Sequence, residues 1–205
     1  MHYGIPTIST GAMFRAAIAR GTDLGRIINN VRIDKGEYVP DSIVVAAINE
    51  RTEEADCAEG FLLDGFPRTI PQAEALETIL AARGQQLDGV LDFEVPMSEL
   101  VQRFSWRRVC PVDNSTYHLV SQPPQQSGMC DQCHSQLITR PDDDPDVVQR
   151  RLEVYAEKTA PLIVHYREQG QLHTIDATAE PETVFGQVVG LLDGLIGLKR
   201  NTNDG

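Results

Sequence analysis

Residues 109–139 interrupt an otherwise regular alternation of helix-forming and strand-forming segments, and they carry ligand-type side chains at both ends. The stretch reads Cys110-x2-Asp113-x16-Cys130-x2-Cys133, rich in Pro, Gln, Ser, Asn and Gly, with no helical period. Two short-spaced pairs about 15–20 residues apart form the arrangement in which two knuckles converge on one tetrahedral zinc ion. Asp at one position is chemically acceptable, because zinc takes carboxylate oxygen as well as thiolate. Four protein ligands close the coordination sphere, so the expected group is a structural Zn2+ held by Cys110, Asp113, Cys130 and Cys133. His118 and His134 lie in the same stretch, but neither keeps the two-residue gap on both sides. The remaining cysteine, Cys57, stands alone and reads as a small buried hydrophobe. A segment of this kind is a module inserted into a parent fold.

The parent pattern is α/β. Thr10 is expected to cap a helix over residues 13–18 that Gly21 stops, and an amphipathic stretch follows over 22–33. Asp41 or Ser42 is expected to cap a helix over 43–48. Phe61-Leu62-Leu63, bounded by Gly60 and Asp64-Gly65, reads as a short buried strand. Helices are expected over 72–82 and 97–107, and a long one over 145–167 broken near Pro161. Strands are expected over 90–95 and 172–175, and a last helix over 182–192. Alternation of this kind predicts a parallel sheet flanked by helices.

Eighteen basic residues stand against 30 acidic ones, a formal net charge of −12, and 15 of the 18 are Arg. An acidic chain is poorly suited to non-specific nucleic-acid binding, which depends on neutralising many phosphates. Its arginines gather locally: Arg15, Arg68, Arg103, Arg107, Arg108, Arg140, Arg150 and Arg151 all fall in or beside motif-like segments. Clusters of rigid, bidentate cations on an acidic body fit a small phosphorylated ligand. The segment Gly60–Thr69 sets an Asp, a Gly and an Arg just beyond a strand, where α/β sheets bind their ligands. The longest apolar run, residues 188–192, is broken by Asp193, and the first residues lack a basic start followed by an apolar stretch. The expectation is a cytoplasmic protein with no membrane partner.

Several strings occur in one order: Ile8-Ser9-Thr10-Gly11-x-Met13-x-Arg15, Gly60-Phe61-Leu62-Leu63-Asp64-Gly65-Phe66-Pro67-Arg68-Thr69, Gln72-Ala73, Arg107-Arg108-Val109, Tyr117-His118 and Arg140-x-Asp142-Asp143. Together they resemble the adenylate kinases, of the bacterial type with a long zinc-binding lid, over almost the whole chain. The resemblance implies the nucleoside monophosphate kinase fold, with a core over 1–108 and 140–205, a nucleoside monophosphate-binding domain over 9–39 within it, and a lid over 106–143. It implies reversible phosphoryl transfer between ATP and AMP to give two ADP, with Mg2+ accompanying ATP. Thr10, Arg15, Glu37, Tyr38, Val39, Gly65, Phe66, Pro67, Arg68 and Gln72 match positions that hold AMP, together with Arg140 and Arg151. Arg15 and Arg68 would grip its phosphate and Gln72 would face the adenine. Arg103, Arg107, Arg140 and Arg151 would line the polyphosphate channel, and Asp64 would orient magnesium through water. Thr116, Tyr117 and Ala179 match positions near the ATP base. Phosphoryl transfer asks for alignment and charge neutralisation rather than a side-chain nucleophile, which converging arginines supply. The partners implied are the nucleotides AMP, ATP and ADP, and the chain is expected to be a monomer.

Two departures from the pattern stand out. No Gly-x-x-Gly-x-Gly-Lys occurs in the 205 residues, whereas the family opens with a buried strand and that phosphate loop. The chain starts where the family is past its first helix, a difference of roughly 21 residues, so the expectation is an exposed, weakened core and less than full activity for the chain as written. Either the true start lies upstream, or the chain is a catalytically inactive relative that binds AMP. The second departure is Ala12, where the family usually carries an acidic residue. A kinase for UMP or GMP is the closest alternative, against which Thr10 and Gln72 favour AMP. A zinc-ribbon module for nucleic acid is disfavoured by the charge and by the lack of interleaved aromatic and basic residues in the insert.

Overall fold

The computed structural model describes residues 3–30 and 37–203, so the end of the expected 22–33 helix and Lys35 lie outside the described residues. The chain runs β1 (Thr7–Ser9), α1 (Thr10–Ala19), α2 (Asp23–Asn30), α3 (Asp41–Thr52), β2 (Leu62–Asp64), α4 (Ile70–Ala82), β3 (Val90–Glu94) and α5 (Met97–Trp106). It continues with β4 (Arg107–Val109), β5 (Thr116–His118), α6 (Pro145–Val154), α7 (Pro161–Glu168), β6 (Leu172–Asp176) and α8 (Pro181–Asn203). The architecture is α/β with parallel strands flanked by helices.

The parallel strands form two pairs, β1–β2 and β3–β6, while β4 and β5 make a separate antiparallel ribbon. Thr7 pairs with Leu62 and Ser9 with Asp64, so both strands of the first pair end at the same level. The strand read as buried starts one residue later than expected and has a single neighbour among the described residues, and Leu62 is 37 % exposed. Strand β1 was not anticipated. Only Ile8 of its three residues is buried, too short a run to show a period of two.

Helix starts follow local chemistry. Thr69 caps α4 by accepting from the Gln72 backbone N–H at 3.3 Å, and Asp144 caps α6 by accepting from the Asp146 N–H at 3.0 Å. Two expected caps are corrected. Thr10 is the first residue of α1 rather than its cap, and its hydroxyl donates to the Gly65 carbonyl at 3.0 Å. Helix α3 starts at Asp41 behind Pro40, and the Asp41 carboxylate turns instead to Gln72. The break expected near Pro161 is a π-helical turn over Tyr155–Thr159, closed by the Ala160 N–H on the Tyr155 carbonyl at 2.9 Å. Pro161 then opens α7, where its missing N–H costs nothing. Helix α8 extends well past the residue 192 expected for its end.

The main core gathers Ile8, Phe14, Ile28, Val39, Val44, Ile48, Phe66, Leu76 and Leu80 between β1–β2 and helices α1 to α4, and Cys57 is buried among them as expected. Ala73, Leu162 and Tyr166 join α4 to α7. Helices α1 and α2 meet backbone to backbone at Gly25, where a Cβ would lie 2.1 Å from the Ala17 carbonyl oxygen. Among the described residues no helix is long and apolar enough to cross a membrane.

Candidate functional site

The ends of β1 and β2 open into a cavity of about 320 Å³ walled by α1, α2, α3 and the 65–68 turn, and reached by Asp142 and Arg151. Its lining combines an apolar set, Phe14, Ile18, Val39 and Val44, with three cations, Arg15, Arg68 and Arg151. Thr10, Gly11, Asn29, Glu37, Tyr38, Gly65 and Gln72 complete the lining, so nine of the twelve residues expected to hold AMP line it directly, and Phe66, Pro67 and Arg140 do not. Phe66 and Pro67, joined by a cis peptide bond, form the turn beneath, with Phe66 in the core.

The turn is built for close approach. Gly65 has φ +73°, and a Cβ on it would sit 2.8 Å from an Arg68 guanidinium nitrogen and 3.1 Å from the Thr10 hydroxyl. With no side chain there, Arg68 Nε donates to the Gly65 carbonyl at 2.8 Å, which folds the guanidinium back towards the cavity. The Tyr38 ring lies 5.3 Å under that guanidinium. The Tyr38 hydroxyl and Thr159 Oγ1 are 2.8 Å apart, and Thr159 donates to the Arg68 carbonyl at 2.8 Å. Thr159 has one proton to give, so Tyr38 is the donor of the first bond.

A second group of cations stands where the inserted module leaves and rejoins the core. Arg107 makes a two-pronged pair with Asp143, its Nε donating at 2.9 Å and a second nitrogen to the other carboxylate oxygen. Asp143 belongs to a run of three acidic residues, yet its side chain is fully buried. The Phe104 ring lies under both Arg107 and Arg151, at 5.0 and 5.2 Å. Burial and then the charge of Arg107 lower the Arg140 pKa, with Arg15 adding to it. Burial likewise lowers that of Arg151, with Arg68 and Arg107 contributing. Five arginines therefore share one field, and no carboxylate among the described residues pairs with Arg15, Arg68 or Arg140. Such a cluster is unfavourable unless an anion completes it. Asp64 closes β2 with its side chain exposed. Arg103 donates to the Ala177 carbonyl at 2.7 Å, beside the turn that holds Ala179. Ala12 is exposed on α1, whose first turn has no acidic residue.

Within the module, one ligand atom from each of Cys110, Asp113, Cys130 and Cys133 lies within 4.8 Å of all the others. Cys110 and Cys133 sulfurs are 3.3 Å apart, and Cys130 Sγ is 3.2 Å from an Asp113 oxygen. A tetrahedral ion with zinc–sulfur bonds of about 2.3 Å sets sulfurs about 3.8 Å apart, so the donor set fits zinc. The two knuckles match. Asn114 and His134, each following a ligand, take left-handed φ of 62° and 57°, and their N–H groups return to the Cys110 and Cys130 carbonyls at 3.0 and 2.9 Å. Ser115 hydrogen bonds hold the Asp113 carboxyl well below the usual carboxylate range, and burial pushes the Cys110 thiol up to about 11. Thr116 is exposed on β5, whereas Tyr117 is buried, its hydroxyl taking the Asp131 N–H at 2.8 Å and lying 3.5 Å from Cys130 Sγ. His118 and His134 are outside the ligand cluster.

A family model described as adenylate kinase matches residues 1–171 of the chain. The chain belongs to the adenylate kinase family. It is 50 % identical over 190 residues to the adenylate kinase of Carboxydothermus hydrogenoformans, covering 93 % of this chain and 88 % of that protein. It is 49 % identical to that of Shouchella clausii, covering 93 % and 87 %, and 43 % identical to that of Archaeoglobus fulgidus, covering 93 % and 88 %. Adenylate kinases are phosphotransferases that use Mg2+ with ATP. The residues that sequence reasoning missed are Phe104, Asp143 and Thr159, which contact the arginines. Their signals are weak: an aromatic three residues before Arg107, an acidic run, and a threonine two residues before a proline.

Proposed function

We propose that this chain acts on AMP as phosphoryl acceptor and ATP as donor, in the reversible reaction that gives two ADP. One observation carries the reading: a cavity lined by apolar side chains together with Arg15 and Arg68, neither of which has a carboxylate partner among the described residues, suits a nucleoside monophosphate, an apolar base carrying a phosphate. The base would lie against Phe14, Val39 and Val44, with Gln72 at its edge, while Arg15 and Arg68 take the phosphate. Arg140 and Arg151 would meet the transferring group from the other side, with Arg103 and Arg107 along the donor's phosphates. Magnesium arrives with ATP and offsets the charge of its phosphates, and Asp64, exposed at the end of β2, would orient it through water.

Residues 106–143 would serve as a lid. Water reaching the site would take the phosphoryl group in place of AMP, so closure is part of the chemistry. A structural zinc held by Cys110, Asp113, Cys130 and Cys133 would let the lid move as one body. Thr116 would offer its exposed side chain to the ATP base, and Tyr117 and Ala179 would serve it through backbone groups.

Two measurements test this separately. Calorimetric titration with AMP reads the cavity alone, and Arg68→Ala is expected to abolish binding with the fold intact; unchanged affinity contradicts the assignment. A coupled assay with ATP and AMP, GMP, CMP or UMP reads transfer, and a preference for any acceptor but AMP overturns the substrate.

A further inference from the structure

Gln72 is 2 % exposed yet lines the cavity, and both ends of its amide are held. The Arg68 backbone N–H donates to Gln72 Oε1 at 2.7 Å, and Gln72 Nε2 donates to Asp41 Oδ1 at 2.7 Å. Both partners have a fixed sense. A backbone N–H can only donate and a carboxylate can only accept. Turning the amide over would set Oε1 against the carboxylate and Nε2 against an N–H, replacing two hydrogen bonds by two repulsive contacts. The two partners therefore settle which end of the amide is oxygen. The backbone of Gln72 is fixed as well, since its own N–H is taken by the Thr69 cap.

One N–H on Nε2 and one lone pair on Oε1 remain after those bonds. They form an edge with a donor and an acceptor in a set order. Adenine carries an amino donor beside a ring-nitrogen acceptor; guanine carries a carbonyl acceptor beside a ring N–H donor. The two edges are opposite in sense, and an amide free to rotate would serve either. The apolar walls at Phe14, Val39 and Val44 separate the two purines weakly, because apolar contacts discriminate poorly between isosteres.

We infer that Asp41 is a specificity-determining residue, which selects adenine over guanine by locking the polarity of the Gln72 amide. The inference deepens the reading of this cavity as an AMP site and rests on it. Asp41 needs no contact with the nucleotide, so it acts as a positioning residue through Gln72. Its place at the first residue of α3, directly after the Glu37–Pro40 segment, brings its carboxylate to the Gln72 amide while Asp41 itself is not part of the cavity lining.

The test is equilibrium binding of AMP and of GMP to the full chain and to Asp41→Asn, which offers both a donor and an acceptor and so removes one of the two contacts that set the sense of the amide, the Arg68 N–H keeping the other. The ratio of GMP to AMP dissociation constants is expected to fall about tenfold, the value of roughly one hydrogen bond. Asp41→Glu, still acceptor-only, is expected to keep the parental ratio. A purely structural role would weaken both nucleotides equally, so an unchanged ratio in Asp41→Asn overturns the inference. Should Asp41→Asn fail to fold by circular dichroism, Asp41→Ser, which also accepts and donates, takes its place with the same expected fall. Parental protein that binds neither nucleotide would instead overturn the AMP reading and this inference with it. AMP preference in the parent with an unchanged ratio in the variant overturns the inference alone.

Discussion

The Thr159 hydroxyl donates to the Arg68 backbone carbonyl across 91 positions of sequence, at 2.8 Å. Thr159 is the last residue of the π-turn between α6 and α7, so the irregularity in that helix is what brings the hydroxyl to the arginine. The same oxygen receives the Tyr38 proton, and the Tyr38 ring lies beneath the Arg68 guanidinium. Backbone and side chain of one arginine are thus fixed from two distant elements.

Replacing Thr159 by Val keeps the shape and removes the donor. The Arg68 carbonyl and the Tyr38 hydroxyl each lose a partner, at about 1–2 kcal/mol together. AMP dissociation constants are expected to rise roughly 5- to 20-fold, with Thr159→Ser restoring most of the affinity. Calorimetric titration checks this; equal affinity in Thr159→Val would show that Arg68 is held without it.

Metal analysis of protein purified without chelator is expected to find about one zinc per chain, as a closed four-ligand site requires. Asp113→Ala leaves three ligands and should retain less zinc through gel filtration. Chelation should release amide protection over 110–137 while residues 7–19 keep theirs, because the ligands staple the module and none lies in the core. Hydrogen exchange followed residue by residue reads both regions at once.

Asp92 supplies a pH dependence. Burial, and then the charge of Glu94, pushes its carboxyl pKa up, and its Oδ2 atom is buried with no partner in the described residues. The folded protein therefore binds this proton at higher pH than the unfolded chain, whose Asp titrates near ~4. With more protons on the native state, stability falls as pH rises from about 4 through the raised pKa. Asp92→Asn removes that loss. Its melting temperature is expected to exceed the parent's by a larger margin near neutral pH than near pH ~4, as scanning calorimetry at both values would show.

Much of the site was legible because its signals are local. Gly65 and Arg68 sit three residues apart in one turn, and Cys110, Asp113, Cys130 and Cys133 come in two pairs with the same gap, so spacing alone brings them together. The helices with strong caps or prolines at their starts, α4 and α6, had those starts placed within two residues, while the end of α6 at Val154 was not foreseen. What was not legible depends on distance in sequence. No pattern ties Tyr38 to Thr159, 121 residues on, or Gln72 to Asp41 across a helix. Asp143 sits in an acidic run that hydrophilicity marks as solvated, and only its pairing with Arg107 explains why it is buried. Thr10 and Asp41 are good capping residues by type, yet each spends its side chain on a tertiary partner, Gly65 and Gln72.

The neck of the inserted module has a consequence for how such chains diversify. Val109 and Ile138 exchange backbone hydrogen bonds at 2.9 Å in both directions, so the polypeptide departs and returns at a single rung. Everything between is anchored by its own knuckles and the small core of Cys110, Tyr117, Cys130 and Leu137. A segment with coincident ends and private cohesion is portable: another of different length, or one cross-linked by different chemistry, can be exchanged at that rung without redrawing the parent fold.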